Sequence, residues 1–253
     1  MQIRFVYMVF GDQPVYHQQA AFSILSILAQ KQAGDSILML TNHPEYYAFF
    51  GEQVKTSTIT PQTLEEWKGP HQYFWRIKLQ AIAYAALGVD EQAIVYLDTD
   101  TFLFGDLEQM RSGLMAANSF MHLNEGSLAA HKSKTIKKMW RHLSGKEFAG
   151  IRIQGSHCMW NAGLVAMPAG KALPVLTKAI ALCDAFCDAR VSPRLIEQFS
   201  LSVSLSEQAA LLPADHYFGH YWGNKPAWEN YISSFFHLQF FQKILLFQSD
   251  QAN

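Results

Sequence analysis

Cysteine is scarce in these 253 residues: Cys158, Cys183 and Cys187 make the whole complement. None of them forms a Cys-x-x-Cys pair and an odd number leaves one thiol over, so neither a zinc knuckle nor a disulfide framework is indicated. The cytoplasm, a reducing compartment, is the expected setting. Net charge is nearly absent too, at -1, and no stretch is dense in Lys or Arg. Binding along a phosphate backbone needs such a footprint, so nucleic acid is not an expected partner. The segment Met1 to Phe10 lacks the basic region, the longer apolar region and the small-residue cleavage site of a secretory signal, and reads as a first strand. Long apolar runs are missing as well. The nearest, Tyr231 to Phe247, is broken by Ser233, Ser234, His237, Gln239, Gln242 and Lys243, which disqualifies it as a spanning helix. Core packing or a homo-oligomer contact through 231–247 is its ordinary reading, and peripheral attachment at the inner face of a membrane is the competing one. Internal repeats and low-complexity linkers are lacking, so one large domain over 1–253 is expected.

What is present is an alternation of strand and helix patterns. Strand-like runs lie at Ile3 to Phe10, Ser36 to Leu40, Val54 to Ile59, Ala93 to Leu97, Ser119 to Leu123 and Gly163 to Met167. Helical patterns fall at Tyr16 to Gln32, Phe74 to Leu87 and Lys132 to Leu143, then at Lys171 to Cys187 and Pro193 to Leu205. The pattern predicts an α/β fold whose C-terminal part is mainly helical. In open α/β sheets the ligand crevice lies outside the carboxyl ends of the strands, and both Gly11-Asp12 and Asp98-Thr99-Asp100 fall there.

Asp98 and Asp100 end the apolar run Ala93 to Leu97. Ionised carboxylates at the end of a buried strand need a cation or hydrogen bonds. Residues two apart on a strand point the same way, which lets both carboxylates converge on one ligand. Oxygen ligands suit Mg2+ or Mn2+, and Mn2+ also accepts an imidazole. His220, set among Gly219, Gly223, Asn224 and Pro226, is the candidate imidazole, with His216, His157 and His237 competing. Lys225, Lys78 and Arg76 are cations that could neutralise a diphosphate beside the metal, although a solvated surface role is the ordinary reading of any single lysine. Asn161-Ala162-Gly163 sets an amide and two small residues at the mouth of a strand, which suits close approach of a polar ligand. Glu197-Gln198 at a helix start reads locally as a capping or surface pair.

In their order along the chain these pieces resemble the metal-dependent GT-A glycosyltransferases, most closely glycosyltransferase family 8, which includes bacterial galactosyl- and glucosyltransferases and glycogenin. Phe10-Gly-Asp12 with Tyr16 is similar to the first strand and loop that hold the nucleotide base, and Trp75-Arg-Ile-Lys-Leu79 to the basic helix before the metal strand. Asp98-Thr-Asp100 matches the metal motif. Asn161-Ala-Gly-Leu-Val-Ala-Met167, Glu197-Gln198 and His220-Tyr-Trp-Gly-Asn-Lys225 resemble the later Asn-Ala/Ser-Gly, Asp-Gln-Asp and His-x-x-Gly-x-x-Lys elements. The match departs at Glu197, at Phe199 in place of an acid, and at Lys225, which comes one residue early.

The resemblance implies a GT-A Rossmann-like mixed sheet flanked by helices, with a nucleotide- and metal-binding half over 1–125, a donor-sugar and acceptor half over 126–230 and a C-terminal apolar helix over 231–253. It implies a hexosyltransferase using a UDP-sugar, Mn2+ or Mg2+ held by Asp98, Asp100 and His220, and retention of configuration. Phe10, Asp12, Tyr16, Arg76, Lys78, Thr99 and Lys225 would contact the nucleotide or diphosphate. Asn124, Glu125, Asn161, Ala162 and Gly163 would contact donor or acceptor sugar, and Gln198 and Glu197 would be catalytic. The acceptor would be a glycan or a lipid-linked molecule. Two competitors remain. Leu97-Asp-Thr-Asp-Thr101 also fits a haloacid-dehalogenase-type phosphohydrolase with Asp98 as nucleophile, and a non-catalytic nucleotide-sugar-binding protein would keep the same fold.

Overall fold

The structure, a computed structural model, describes residues 1–191 and 194–250, with side chains up to residue 237. In chain order the first half contains β1 (Gln2–Val9), α1 (Pro14–Leu28), β2 (Ser36–Thr41), β3 (Lys55–Thr58), α2 (Pro61–Lys68), α3 (Arg76–Ala86), β4 (Gln92–Leu97), β5 (Thr101–Leu103) and α4 (Leu107–Met115). The second half contains β6 (Ser119–Ser127), α5 (Lys134–Leu143), the hairpin β7 (Glu147–Phe148) and β8 (Ile151–Arg152), β9 (Cys158–Met167), α6 (Ala172–Asp188), α7 (Ile196–Ser206), β10 (Leu211–Pro213), β11 (Phe218–His220) and α8 (Lys225–Asp250). Local chemistry sets several helix starts. Pro14 and Pro61 occupy first-turn positions, where their missing N–H is no loss. Thr60 accepts from the Thr63 N–H at 3.1 Å and Asp106 from the Glu108 N–H at 2.9 Å.

Seven strands form a mixed sheet in the order β10-β6-β9-β4-β1-β2-β3. β1 runs parallel to β2 and β4, whereas β9 runs antiparallel to both β4 and β6. Strand alternation divides the core into two layers. Ala93, Val95 and Leu97 of β4 pack with Ile24 and Ile27 of α1 and with Met110 and Leu114 of α4. Ile94 and Tyr96 face the other way, toward Leu79 and Ile82 of α3, Leu176 and Leu182 of α6, and Phe199 of α7. A strand covered on both faces carries a near-continuous apolar run, which is why Ala93 to Leu97 reads as one. Truncating a fully buried residue such as Ile24 or Leu176 to Ala is expected to cost about 2–5 kcal/mol.

The expected mixed sheet flanked by helices is the one that forms. β9 begins at Cys158, five positions before the expected Gly163, and the short strands β5, β10 and β11 fall where no strand is predicted. The last helix starts at Lys225 and not at Tyr231. Ile232 is buried and Phe235 lies against Phe22 of α1, while the side chains from 238 to 247, and the helix start expected at Pro193, lie outside the described residues. Among the described residues no helix is long and apolar enough to cross a membrane.

Candidate functional site

Asp98 does not reach its place by the pleat that the sequence suggests. β4 ends at Leu97 and residues 98–100 form a turn, so the two carboxylates are brought together by the turn and not by strand alternation. The turn is held from three sides. The Asp98 N–H donates to the Gly163 carbonyl of β9 at 2.8 Å, the Thr101 hydroxyl donates to the Asp98 carbonyl at 2.7 Å, and the Tyr221 N–H donates to the Asp100 carbonyl at 3.1 Å. β5 and β11 then pair antiparallel with His220 opposite Thr101. That register sets the His220 Nε2 3.3 Å from Asp100 Oδ1.

One ligand atom from each of Asp98, Asp100 and His220 lies within 4.8 Å of the others. Two carboxylate oxygens and an imidazole nitrogen are a donor set that Mn2+ accepts. The residues therefore fit a divalent cation. Both carboxylates also have ammonium partners. Lys225 Nζ sits 2.8 Å from Asp100 Oδ2, and Lys78 Nζ sits 2.9 Å from Asp98 Oδ1.

Electrostatics separates these groups sharply. Burial pushes the Asp100 carboxyl up, but the hydrogen bonds and charges of His220 and Lys225 outweigh it and hold the group well below the usual carboxylate range. Burial would lower Lys78, yet Asp98 and Glu197 hold it charged and raise it. Glu197 lies in α7 with its carboxylate 3.4 Å from Lys78, and burial raises its pKa despite that partner. The Lys78 ammonium also donates to the Ala162 carbonyl at 3.0 Å and lies 5.3 Å from the Tyr96 ring centre. Its three N–H groups thus face Asp98, Glu197 and Ala162, leaving it a fixed counter-charge under Asp98.

A cleft of about 660 Å³ opens over the triad, lined by Phe10, Tyr16, Lys78, Asp98, Thr99, Asp100, Glu125, Asn161, Gln198, His220 and Lys225 from among the expected residues. An adjoining recess of about 380 Å³ adds Ala162, Gly163 and Glu197. Three expected residues stay outside. Arg76 turns its guanidinium to Asp184, at 2.7 and 3.0 Å, and to the Trp67 carbonyl, because positions two apart on a helix point about 200° away from each other and Lys78 takes the cleft. Asp12 is exposed beyond the lining. Asn124 accepts from the Gly126 N–H at 2.8 Å, and the irregular register of β6 at that point sends Glu125 into the cleft and leaves Asn124 on the surface.

The structure also supplies lining residues that sequence reasoning missed. Phe74 and Trp75 at the start of α3, 46% and 53% exposed, form an aromatic wall, and Trp222, 61% exposed, faces the same cleft. Their signal was the aromatic density of 73–75 and 216–228. Leu195, which precedes α7 with φ of 71°, gave none: a β-propensity or hydropathy pattern does not reveal a left-handed residue.

No family model and no curated protein matches this sequence. Solved structures do match the fold. One is the galactosyltransferase LgtC in complex with donor and acceptor sugar analogs, at 11% identity and a TM-score of 0.55, covering 84% of this chain and 74% of that one. Another is mouse xyloside xylosyltransferase 1 in its apo form, at 10% identity and a TM-score of 0.53, covering 84% of this chain and 85% of that one. The chain has the GT-A glycosyltransferase fold. Within that GT-A frame the triad sits where β4 runs out, at the carboxyl edge of the parallel strands, the place that open α/β sheets reserve for ligands.

Proposed function

We propose that this chain is a metal-dependent glycosyltransferase that moves a hexose from a UDP-sugar to a hydroxyl of a glycan or lipid-linked acceptor with retention of configuration. The observation that carries this reading is the convergence of Asp98, Asp100 and His220 beside Lys225 in the cleft. Mn2+ or Mg2+, when bound, supplies positive charge to the diphosphate leaving group. Lys225, with its side chain 41% exposed, is the cation able to leave Asp100 and meet that diphosphate, while Lys78 stays as fixed charge beneath. Phe10 and Tyr16 would flank the base, and Thr99, whose hydroxyl donates to Gln19 at 3.3 Å, would lie along the nucleotide. Asp12, Arg76 and Asn124 take no part in this reading.

Gln198 donates its amide nitrogen to Glu125 at 3.2 Å, which leaves the amide oxygen to stabilise oxocarbenium character at the anomeric carbon. Glu197 is committed to Lys78 and is a poor nucleophile, which favours attack by the acceptor on the face that the leaving group vacates. Glu125, Ala162 and Gly163 would line the sugar subsite. The chain would work in the cytoplasm, with 231–247 as a peripheral membrane or homo-oligomer contact. A dehalogenase-type phosphohydrolase would carry its nucleophile after the first strand, whereas Asp98 follows β4.

Release of UDP from a panel of UDP-sugars, with and without Mn2+, tests the reading in wild type and Asp100→Ala. Metal-stimulated release that the variant loses is expected. Metal-independent phosphate release from phosphomonoesters, or no turnover with any donor, would overturn it.

A further inference from the structure

We propose that Asn161, together with Gly163, is a positioning residue for His220: it holds the ring with its Nδ1–H on the amide oxygen, so that Nε2, the nitrogen facing Asp100, is the one left for a metal. The inference rests on the metal-site reading above and gives the Asn161-Ala162-Gly163 segment a role behind the metal.

The oxygen of the Asn161 amide decides the tautomer. Asn161 Oδ1 is 2.9 Å from His220 Nδ1 and also accepts from the Gly163 backbone N–H at 3.0 Å. A backbone N–H only donates, so the amide atom facing it is oxygen and the amide cannot be flipped. The imidazole nitrogen facing that same oxygen must therefore carry hydrogen. In a neutral ring the lone pair then lies on Nε2, the nitrogen 3.3 Å from Asp100. Among the described residues the amide nitrogen has a long contact, 3.5 Å to Glu125, so the firm bonds of Asn161 are on its oxygen.

Packing holds the same orientation. A Cβ on Gly163 would lie 2.3 Å from both Nδ1 and Cε1 of His220, so the ring occupies the space of the missing side chain. On another side the His122 ring meets it edge-on, with centroids 5.1 Å apart and an interplanar angle of 87°, and His122 is itself anchored to the Phe218 carbonyl at 3.1 Å. The segment reaches the other half of the site as well: the Gly163 carbonyl takes the Asp98 N–H and the Ala162 carbonyl takes Lys78. Three consecutive residues of β9 thus tie the acidic turn and the imidazole to one strand. Outer partners of a ligating histidine set its tautomer and direction, and their loss costs about 10- to 100-fold in metal affinity.

Mn2+ affinity is measured by the spin-resonance signal of free Mn2+ at saturating UDP with no hexose present, so that a contact to sugar cannot contribute. Asn161→Ala and Gly163→Ala are each expected to weaken binding by about 10- to 100-fold. Asn161→Asp, which keeps the accepting oxygen, is expected to retain it, and in a His220→Ala background Asn161→Ala is expected to add no further loss. Nitrogen-15 spectra of the imidazoles in the Mg2+-UDP complex give a second readout, a protonated Nδ1 on His220. Wild-type Mn2+ affinity in Asn161→Ala overturns the inference alone, as does a His220 ring protonated at Nε2 in the wild-type complex. A wild type that binds no Mn2+ with UDP overturns the metal reading and this inference together.

Discussion

Asp100 is held more tightly than Asp98: its side chain is 7% exposed against 28%, and it faces both His220 and Lys225. Replacing it with Asn removes the charge that both partners address, so Asp100→Asn is expected to lower metal-dependent turnover by about 10²-fold or more, read as kcat/KM at saturating Mn2+. Glu197 behaves in the opposite sense. Burial, then the Asp98 charge, raises its folded pKa against the pull of Lys78. A group raised on folding contributes stability that is present below its unfolded pKa, about 4.3, and lost as pH rises through the folded value. Gln carries no such loss, so the thermal midpoint of Glu197→Gln is expected to gain on wild type as pH increases from about 4.3, while transfer activity falls. A wild type that keeps its full margin at high pH would contradict this. At this scale the sequence exposed much of the site. Asp98, Asp100, Asn161 and His220 are legible because their chemistry and order are distinctive. Arg76 and Lys78 looked equivalent, and only the helix phase separates them. Asn124 and Glu125 needed the bulge of β6, which composition does not announce.

Among the elements, the join between β1, the loop before β2, and α4 depends on one buried ion pair. Arg111 donates to both oxygens of Asp35, at 3.0 and 2.6 Å, and to the Met1 carbonyl at 2.8 Å, while Asp35 accepts the Ile3 N–H at 2.8 Å. Removing one partner leaves the other charge buried, so Arg111→Met is expected to cost about 3–5 kcal/mol in chemical denaturation. Burial works to raise the Asp35 carboxyl, but Arg111 and the backbone donors prevail and lower it. Its contribution is therefore present above about pH 3.9 and lost as pH falls through the depressed folded value, so the gap between wild type and Asp35→Asn is expected to close in acid. Long strands such as β1 and β4 were visible because an alternating or continuous apolar pattern needs several residues to register. The three-residue strands β5, β10 and β11 are too short for that, and β5 with β11 is the pairing that delivers His220. The early start of β9 was hidden because its residues are buried on both faces and do not alternate.

For the molecule as a whole, the two core layers were readable from hydrophobic pattern and the crevice near residues 10 and 98 from the strand ends, whereas the parts near 161, 198 and 220 join it only when the sheet is assembled. Around the acidic turn, the carboxylates of Asp98, Asp100 and Glu197 outnumber the ammonium groups of Lys78 and Lys225 by one. Mn2+ alone would reverse that excess, whereas Mn2+ with the diphosphate of UDP would keep it negative. Thermal-shift measurements are expected to find little stabilisation by Mn2+ or UDP singly and a clear rise with both, by linkage to the folded state. Equal stabilisation by Mn2+ alone would contradict it. The two lysines thereby act as gatekeepers of stoichiometry: a bare cation meets resident ammonium groups, and one escorted by its own counter-anion gives Lys225 a new partner as it gives up Asp100.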